Sequence, residues 1–154
     1  MKMSDSEYTL IADIERHEEI QKLNYSKFEE WLDRILAGDN LLPFSSKLYF
    51  CIGTPFPRKR DTEWAIHLHT FSSFSANGTI DNYESPYWGD DLIWDYTWND
   101  TLAHEDNVLI LKDKPTTYLK RYLTIGKHSA KLKTFSLVAI GWMCDSPEIL
   151  FERK

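Results

Sequence analysis

The chain of 154 residues has no Lys or Arg between Arg60 and Lys112. Its only two cysteines, Cys51 and Cys144, lie far apart in the sequence, which excludes a C-x-x-C pair and a multi-cysteine zinc cluster. No apolar run approaches the roughly 20 residues that a membrane-spanning helix needs, and the first residues lack the apolar region of a secretion signal. These absences predict a single cytoplasmic domain over residues 1–154, with buried and reduced thiols.

Motifs for nucleotide binding and for hydrolase catalysis are absent as well. The sequence contains no G-x-S-x-G, no Walker-type loop and no G-x-G-x-x-G. We therefore expect no cofactor, and we expect a binding role rather than an enzymatic one.

The stretch without basic residues concentrates the negative charge of the chain. It carries ten carboxylates together with nine aromatic residues, four of them tryptophans. Subtracting those ten leaves 14 acidic residues against 18 basic ones, so the rest of the chain has a net charge of +4 while the whole chain is at −6. An anionic surface with rigid rings favours a basic protein as partner. The same charge would repel nucleic acid, whose binding depends on neutralising its phosphates.

The predicted partner-binding residues lie between positions 81 and 106. Pro86 and Gly89 predict a loop, and a loop does not easily bury Tyr87 and Trp88 on both sides, so these two rings are the expected anchors. The full predicted set is Asp81, Tyr83, Glu84, Tyr87, Trp88, Asp90, Asp91, Asp95, Asp100, Glu105 and Asp106. The competing interpretation is a solvated face whose carboxylates pair internally with the basic residues 58–60.

In its small size, acidic charge, content of Trp and Tyr and lack of a catalytic motif, the chain resembles the immunity proteins of bacterial contact-dependent and polymorphic toxin systems. Residues 83–106 would be the toxin-facing segment. The resemblance implies a protein that binds and neutralises a cognate basic toxin domain, with a nuclease as the expected toxin activity. It implies neither a nucleic-acid partner nor a membrane partner.

Two alternative functions remain open. His67 and His69 share one face of a predicted strand, a spacing that metals can use, and His104 could supply a third ligand in a small metal-dependent or histidine-using enzyme. A regulatory interaction module, including a decoy that mimics DNA, would also carry an acidic surface.

The hydrophobic pattern predicts an α+β domain in which two N-terminal helices pack on a mainly antiparallel sheet. The first helix would begin at Ser4 or Ser6, and the second would be capped by Ser26 and end at a left-handed Gly38. Thr116 or Thr117 is predicted to cap a short helix through Leu123, with a strand as the alternative.

The predicted strands cover residues 47–52, 63–71, 79–83, 108–111, 135–142 and 148–151, with a further short strand within 92–98. Residues 63–71 alternate, and Trp64 is expected in the core on the same face as Ile66 and Leu68. Asn77-Gly78 predicts a turn, and the last two strands are predicted to form an antiparallel hairpin.

Overall fold

The computed structural model describes residues 22–38, 47–85, 91–142 and 145–153, and residues 81–85 are described by their backbone. In these ranges the chain forms three helices: α1 (Tyr25–Ala37), α2 (His104–Ile125) and α3 (Ser129–Leu132). It also forms six strands, which are β1 (Lys47–Gly53), β2 (Glu63–Phe74), β3 (Ile80–Ser85), β4 (Leu92–Asp95), β5 (Leu137–Trp142) and β6 (Glu148–Glu152). The predicted helix at Ser4 or Ser6 lies outside the described residues.

Helix α1 buries one face, as its 3.6-residue period predicts. Its buried residues Phe28, Trp31, Leu32 and Leu36 recur at helical spacing. The predicted ends are wrong in detail. The N-cap is Asn24 rather than Ser26, because the Asn24 side chain accepts a hydrogen bond from the backbone N–H of Lys27 at 2.9 Å. Gly38 ends the helix in an extended conformation, with φ −70°, and not in a left-handed one.

The strands form one mixed sheet in the order β3-β2-β1-β5-β6, with β4 also paired to β2. β1 is antiparallel to β2 but parallel to β5. The turn predicted at Asn77-Gly78 connects β2 to β3, with Gly78 at φ +84° in the left-handed region that glycine tolerates best. The predicted antiparallel pair at the C-terminal end is confirmed as β5 and β6.

The two faces of the sheet carry separate apolar clusters. On one face Trp64, Ile66 and Leu68 pack with α1 and α2, and alternate residues of β1 and β5 join them. On the other face Tyr49, Cys51 and Phe71 form a smaller cluster with Leu137 and Ala139. The alternation predicted for β2 is confirmed, and so is the burial of Cys51. Cys144 lies outside the described residues.

Helix α2 occupies sequence for which a strand and a short helix were predicted. The run from Val108 to Leu111 is helical, with Val108 and Leu111 buried and Leu109 and Ile110 exposed. The strand prediction is wrong because four consecutive apolar residues do not reveal their period, whereas the buried positions 108, 111, 115, 119 and 122 show helical spacing over a longer window. Thr116 and Thr117 therefore lie inside the helix and do not cap it.

The predicted fold class is also wrong. Only one of the described helices precedes the sheet, and the longest helix lies between β4 and β5. That helix and α3 carry the chain back along the sheet, so β5 enters beside β1 in the same direction and makes the sheet mixed instead of mainly antiparallel. None of the described helices combines the length and apolarity needed to cross a bilayer.

Candidate functional site

The predicted binding segment does not form a single strand or loop. β3 and β4 both pair with β2 along its edge away from β1, and α2 begins soon after β4. Asp81, Tyr83 and Glu84 lie in β3, where the backbone alone is described. Tyr87, Trp88 and Asp90 lie outside the described residues.

Asp91 lies against a histidine of the sheet. Its Oδ2 atom lies 2.9 Å from Nδ1 of His67, a residue that is 9% exposed. The other ring nitrogen, Nε2, donates to the backbone carbonyl of Thr54 at 2.9 Å, because a carbonyl oxygen can only accept. His67 therefore contacts both Asp91, just before β4, and Thr54, just after β1.

Asp95 is paired with a cation of the same chain. Its carboxylate accepts hydrogen bonds from Arg60 at 2.9 and 3.2 Å and from the Thr62 hydroxyl at 2.6 Å. Glu63 accepts the backbone N–H groups of Lys59 and Arg60 at 2.6 and 2.8 Å. Part of the acidic segment thus follows the competing interpretation, in which residues 58–60 neutralise it internally.

Three predicted carboxylates remain on the surface. Asp100 lies in the loop before α2, and Glu105 and Asp106 lie in its first turn; all three are exposed. Within the described residues none of them takes part in an ion pair. Acidic side chains in a first turn are favoured by the positive end of the helix dipole, so the position suits them structurally. Among the predicted carboxylates whose side chains the structure describes, these three stay available to a partner.

An aromatic cluster lies beside these carboxylates. Trp98 stacks on Trp64 with ring centroids 5.6 Å apart, and Trp142 contacts the same Trp64 ring at 5.5 Å. His104, the first residue of α2, contacts Trp98 at 5.4 Å and Trp142 at 6.4 Å. We call Trp64, Trp98, His104 and Trp142 the aromatic corner. Trp64 is buried as predicted, Trp98 and Trp142 are half-buried, and His104 is exposed.

The topology of the sheet brings the aromatic corner together. Ile52 near the end of β1 is in register with Trp142 at the end of β5, and Glu63 at the start of β2 is in register with Asp95 at the end of β4. The C-terminal ends of β1, β4 and β5 and the N-terminal end of β2 therefore lie together at one end of the sheet. The loop 96–103, which leads into α2, begins at this end.

Asn107 fixes the shape of the loop that carries Trp98 and Asp100. This side chain is fully buried, and its Oδ1 accepts from the Tyr96 hydroxyl at 2.6 Å and from the Asn99 N–H at 2.9 Å. Its Nδ2 donates to the carbonyls of Asn99 and Ala103 at 3.0 and 3.2 Å. Four hydrogen bonds satisfy the amide, so the loop is clamped onto α2.

The histidine alternative finds little support in this geometry. The rings of His67 and His69 are 6.3 Å apart, but both nitrogens of His67 lie against oxygens of the chain, and His104 belongs to the aromatic corner. Across the ranges that the structure describes, no group of three or more His, Cys, Asp or Glu side chains is arranged to hold a metal ion.

Sequence reasoning missed two kinds of residue here. Trp142 lies far along the chain from Trp98, and no local pattern connects them. Asn107 lies at a core position of a helix that was predicted as loop and strand, so its role in shaping the loop could not be inferred.

The chain matches no protein-family model, no curated protein and no solved structure.

Proposed function

We propose that this protein is an inhibitor of the immunity type, which binds a basic protein domain and covers its active or substrate-binding surface. The observation that carries the proposal is the exposed group of Asp100, Glu105 and Asp106 beside the aromatic corner. Interfaces commonly combine aromatic anchors with complementary charge, and complementary charge raises the association rate. A fast association rate suits an inhibitor that has to capture a toxin before the toxin acts.

The proposed interface is narrower than the predicted one. Asp91 contacts His67, and Asp95 contacts Arg60. These two carboxylates therefore already have neighbours within the chain. The exposed carboxylates before and within the first turn of α2 can meet a cationic surface without first breaking a contact that the structure shows. Residues 81–90 remain part of the predicted interface, although their side chains lie outside the description.

The first experiment is capture with the tagged protein in its source cells, followed by identification of what is bound. We expect a basic protein whose toxic activity falls when the complex forms. A nucleic-acid-handling host protein in its place would support the regulatory or decoy alternative and contradict the immunity function.

The second experiment reverses the proposed charges. In the variant Asp100→Lys/Glu105→Lys/Asp106→Lys we expect the association rate with the captured partner to fall by about tenfold or more at low salt. The matched control reverses Glu30, Asp113 and Glu152, which are also exposed but lie elsewhere in the chain. An equal fall in both variants would show that net charge, and not this surface, attracts the partner.

A further inference from the structure

We propose that the aromatic corner binds an arginine side chain of the partner. This inference rests on the proposed function, since it names the group that the basic partner places at the centre of the interface. It concerns the half-buried rings of Trp98 and Trp142 and the exposed ring of His104.

The same cluster already binds one guanidinium group. The Cζ atom of Arg58 lies 4.8 Å from the centroid of the Trp64 ring, a cation–π distance. Arg58 stays in place through hydrogen bonds from Nε to the Arg60 carbonyl at 3.1 Å and from a terminal nitrogen to the Asp61 carbonyl. The fold thus shows an arginine against the central tryptophan while two further indoles of the cluster remain partly open to solvent.

The surrounding charge favours a cation at the open rings. Asp100 follows Trp98 by two residues, and Glu105 and Asp106 directly follow His104. A partner cation that contacts Trp98 would therefore be attracted by three carboxylates. None of the three has an ion-pair partner among the described residues. Two arginines of the chain, Arg58 and Arg60, are already engaged with Trp64 and with Asp95.

The expected cation is arginine and not lysine. A guanidinium group is planar, stacks on indole rings and is more weakly hydrated than an ammonium group, so it loses less on leaving water. It can also donate to a carboxylate in two parallel hydrogen bonds while its plane contacts a ring. Arginine and tryptophan are both enriched among the residues that dominate interface affinity.

The test uses N-acetyl-arginine amide as a probe, with N-acetyl-lysine amide as the matched control. Titration is followed by the indole N–H resonances of the intact ¹⁵N-labelled protein. We expect the arginine probe to shift the Trp98 and Trp142 resonances. We expect the lysine probe to bind with an affinity about tenfold weaker. Equal shifts with both probes, or no shift with arginine, would overturn the proposal.

Variants at Trp98 separate recognition from folding. Trp98→Leu should abolish the arginine-specific shift of Trp142, and Trp98→Phe should retain most of it because the second variant keeps a ring. His104→Ala changes an exposed residue and serves as a further test if Trp98→Leu does not fold. With the captured partner, Trp98→Leu should raise the dissociation rate by about tenfold or more.

The two proposals can fail separately. If reversal of the three carboxylates slows association while Trp98→Leu leaves dissociation unchanged, the arginine anchor is wrong and the inhibitory function stands. If the arginine probe binds but the captured partner is not a basic protein, the anchor stands and the proposed function is wrong.

Discussion

At the scale of single residues, two buried polar side chains stabilise the described fold. Asn107 holds the loop 96–103, and Tyr122 connects α1 to α2 through a 2.5 Å hydrogen bond to Asp33. Both are fully buried. Buried polar groups cost stability when they lose their partners, which makes each of them testable.

Replacing Asn107 by Leu should lower the free energy of unfolding by about 2 to 4 kcal/mol, because the Tyr96 hydroxyl and the Asn99 N–H lose their partner. The carbonyls of Asn99 and Ala103 each lose one of two donors. Urea denaturation measures the change. Asn99→Ala is the control: its side chain accepts from the N–H and hydroxyl of Thr101 in an exposed turn, so its loss should cost about 1 kcal/mol or less. Similar losses in the two variants would contradict the clamp.

Tyr122 makes stability depend on alkaline pH. Burial, and then the hydrogen bond to Asp33, raise the pKa of Tyr122 well above the ordinary value of 10.0. The unfolded chain therefore releases the phenol proton near pH 10 while the folded chain keeps it. The stabilisation is complete below that pH and is lost as pH rises beyond it.

We expect the free energy of unfolding to fall as pH rises above about 10, and to fall less steeply in Tyr122→Phe. Burial also raises the pKa of Tyr25 and of Tyr118, so the variant should keep part of the slope. Urea denaturation between neutral and alkaline pH measures both slopes. Parallel curves for the two proteins would exclude Tyr122 as a source of the dependence.

At the scale of elements, the junction between α2 and α3 depends on a close approach of the backbone to a ring. A Cβ atom on Gly126 would lie 2.5 Å from Cδ1 of Tyr122. That ring cannot move freely, because its hydroxyl donates to Asp33 and also accepts from the N–H of His128 at 3.2 Å. The absence of a side chain at Gly126 therefore allows the chain to pass close to the Tyr122 ring between α2 and α3.

Gly126→Ala should destabilise the protein by about 1 to 3 kcal/mol through this overpacking. The thermal or urea midpoint measures the loss. Gly38→Ala is the matched control, since its nearest atom, the Ile35 carbonyl oxygen, lies at 3.3 Å and its φ of −70° suits alanine. The control should change the free energy of unfolding by less than about 1 kcal/mol.

Element type was predictable where the hydrophobic period was long enough to read. β2 alternates strictly over Trp64, Ile66 and Leu68, and α1 repeats every three to four residues, so both were predicted correctly. Helix α2 was not. It contains a short continuous apolar run at its start and a buried Pro115 in its interior, and proline disfavours a helix interior because it removes a backbone hydrogen bond.

At the scale of the whole molecule, β1 is the central strand of the sheet. It has a partner on each side, and six of its seven residues are buried. β6 lies at one edge and is mostly exposed or half-buried. The free energy of local opening should therefore differ across the sheet. Opening an edge strand exposes little apolar surface, whereas opening the central strand exposes most of the core.

Native-state hydrogen exchange should show this gradient. We expect the amides of Leu48 to Ile52 in β1 to exchange only through global unfolding, and those of β6 to exchange through local opening with a clearly lower free energy. Nuclear magnetic resonance in D₂O measures both. Equal protection of β1 and β6 would indicate that the sheet opens as one unit.

The charge distribution of the molecule was predicted in part. The sequence alone shows that acidic residues are concentrated between Arg60 and Lys112. It does not show which of them have partners: Asp95 contacts Arg60 across 35 positions, and Asp91 contacts His67 across 24. Asp100, Glu105 and Asp106 remain exposed, the first in the loop before α2 and the other two in its first turn.

The sequence by itself determined the alternation of β2, the helical face of α1, the Asn77-Gly78 turn and the excess of negative charge in residues 61–111. These features depend on neighbours within a few positions, where side-chain spacing and backbone preference act directly. Only the tertiary structure decided that β5 runs parallel to β1, that Val108 to Leu111 are helical, and that Trp64, Trp98 and Trp142 meet. Each of these depends on where the chain returns, since strand pairing and ring contacts join residues that no local pattern connects.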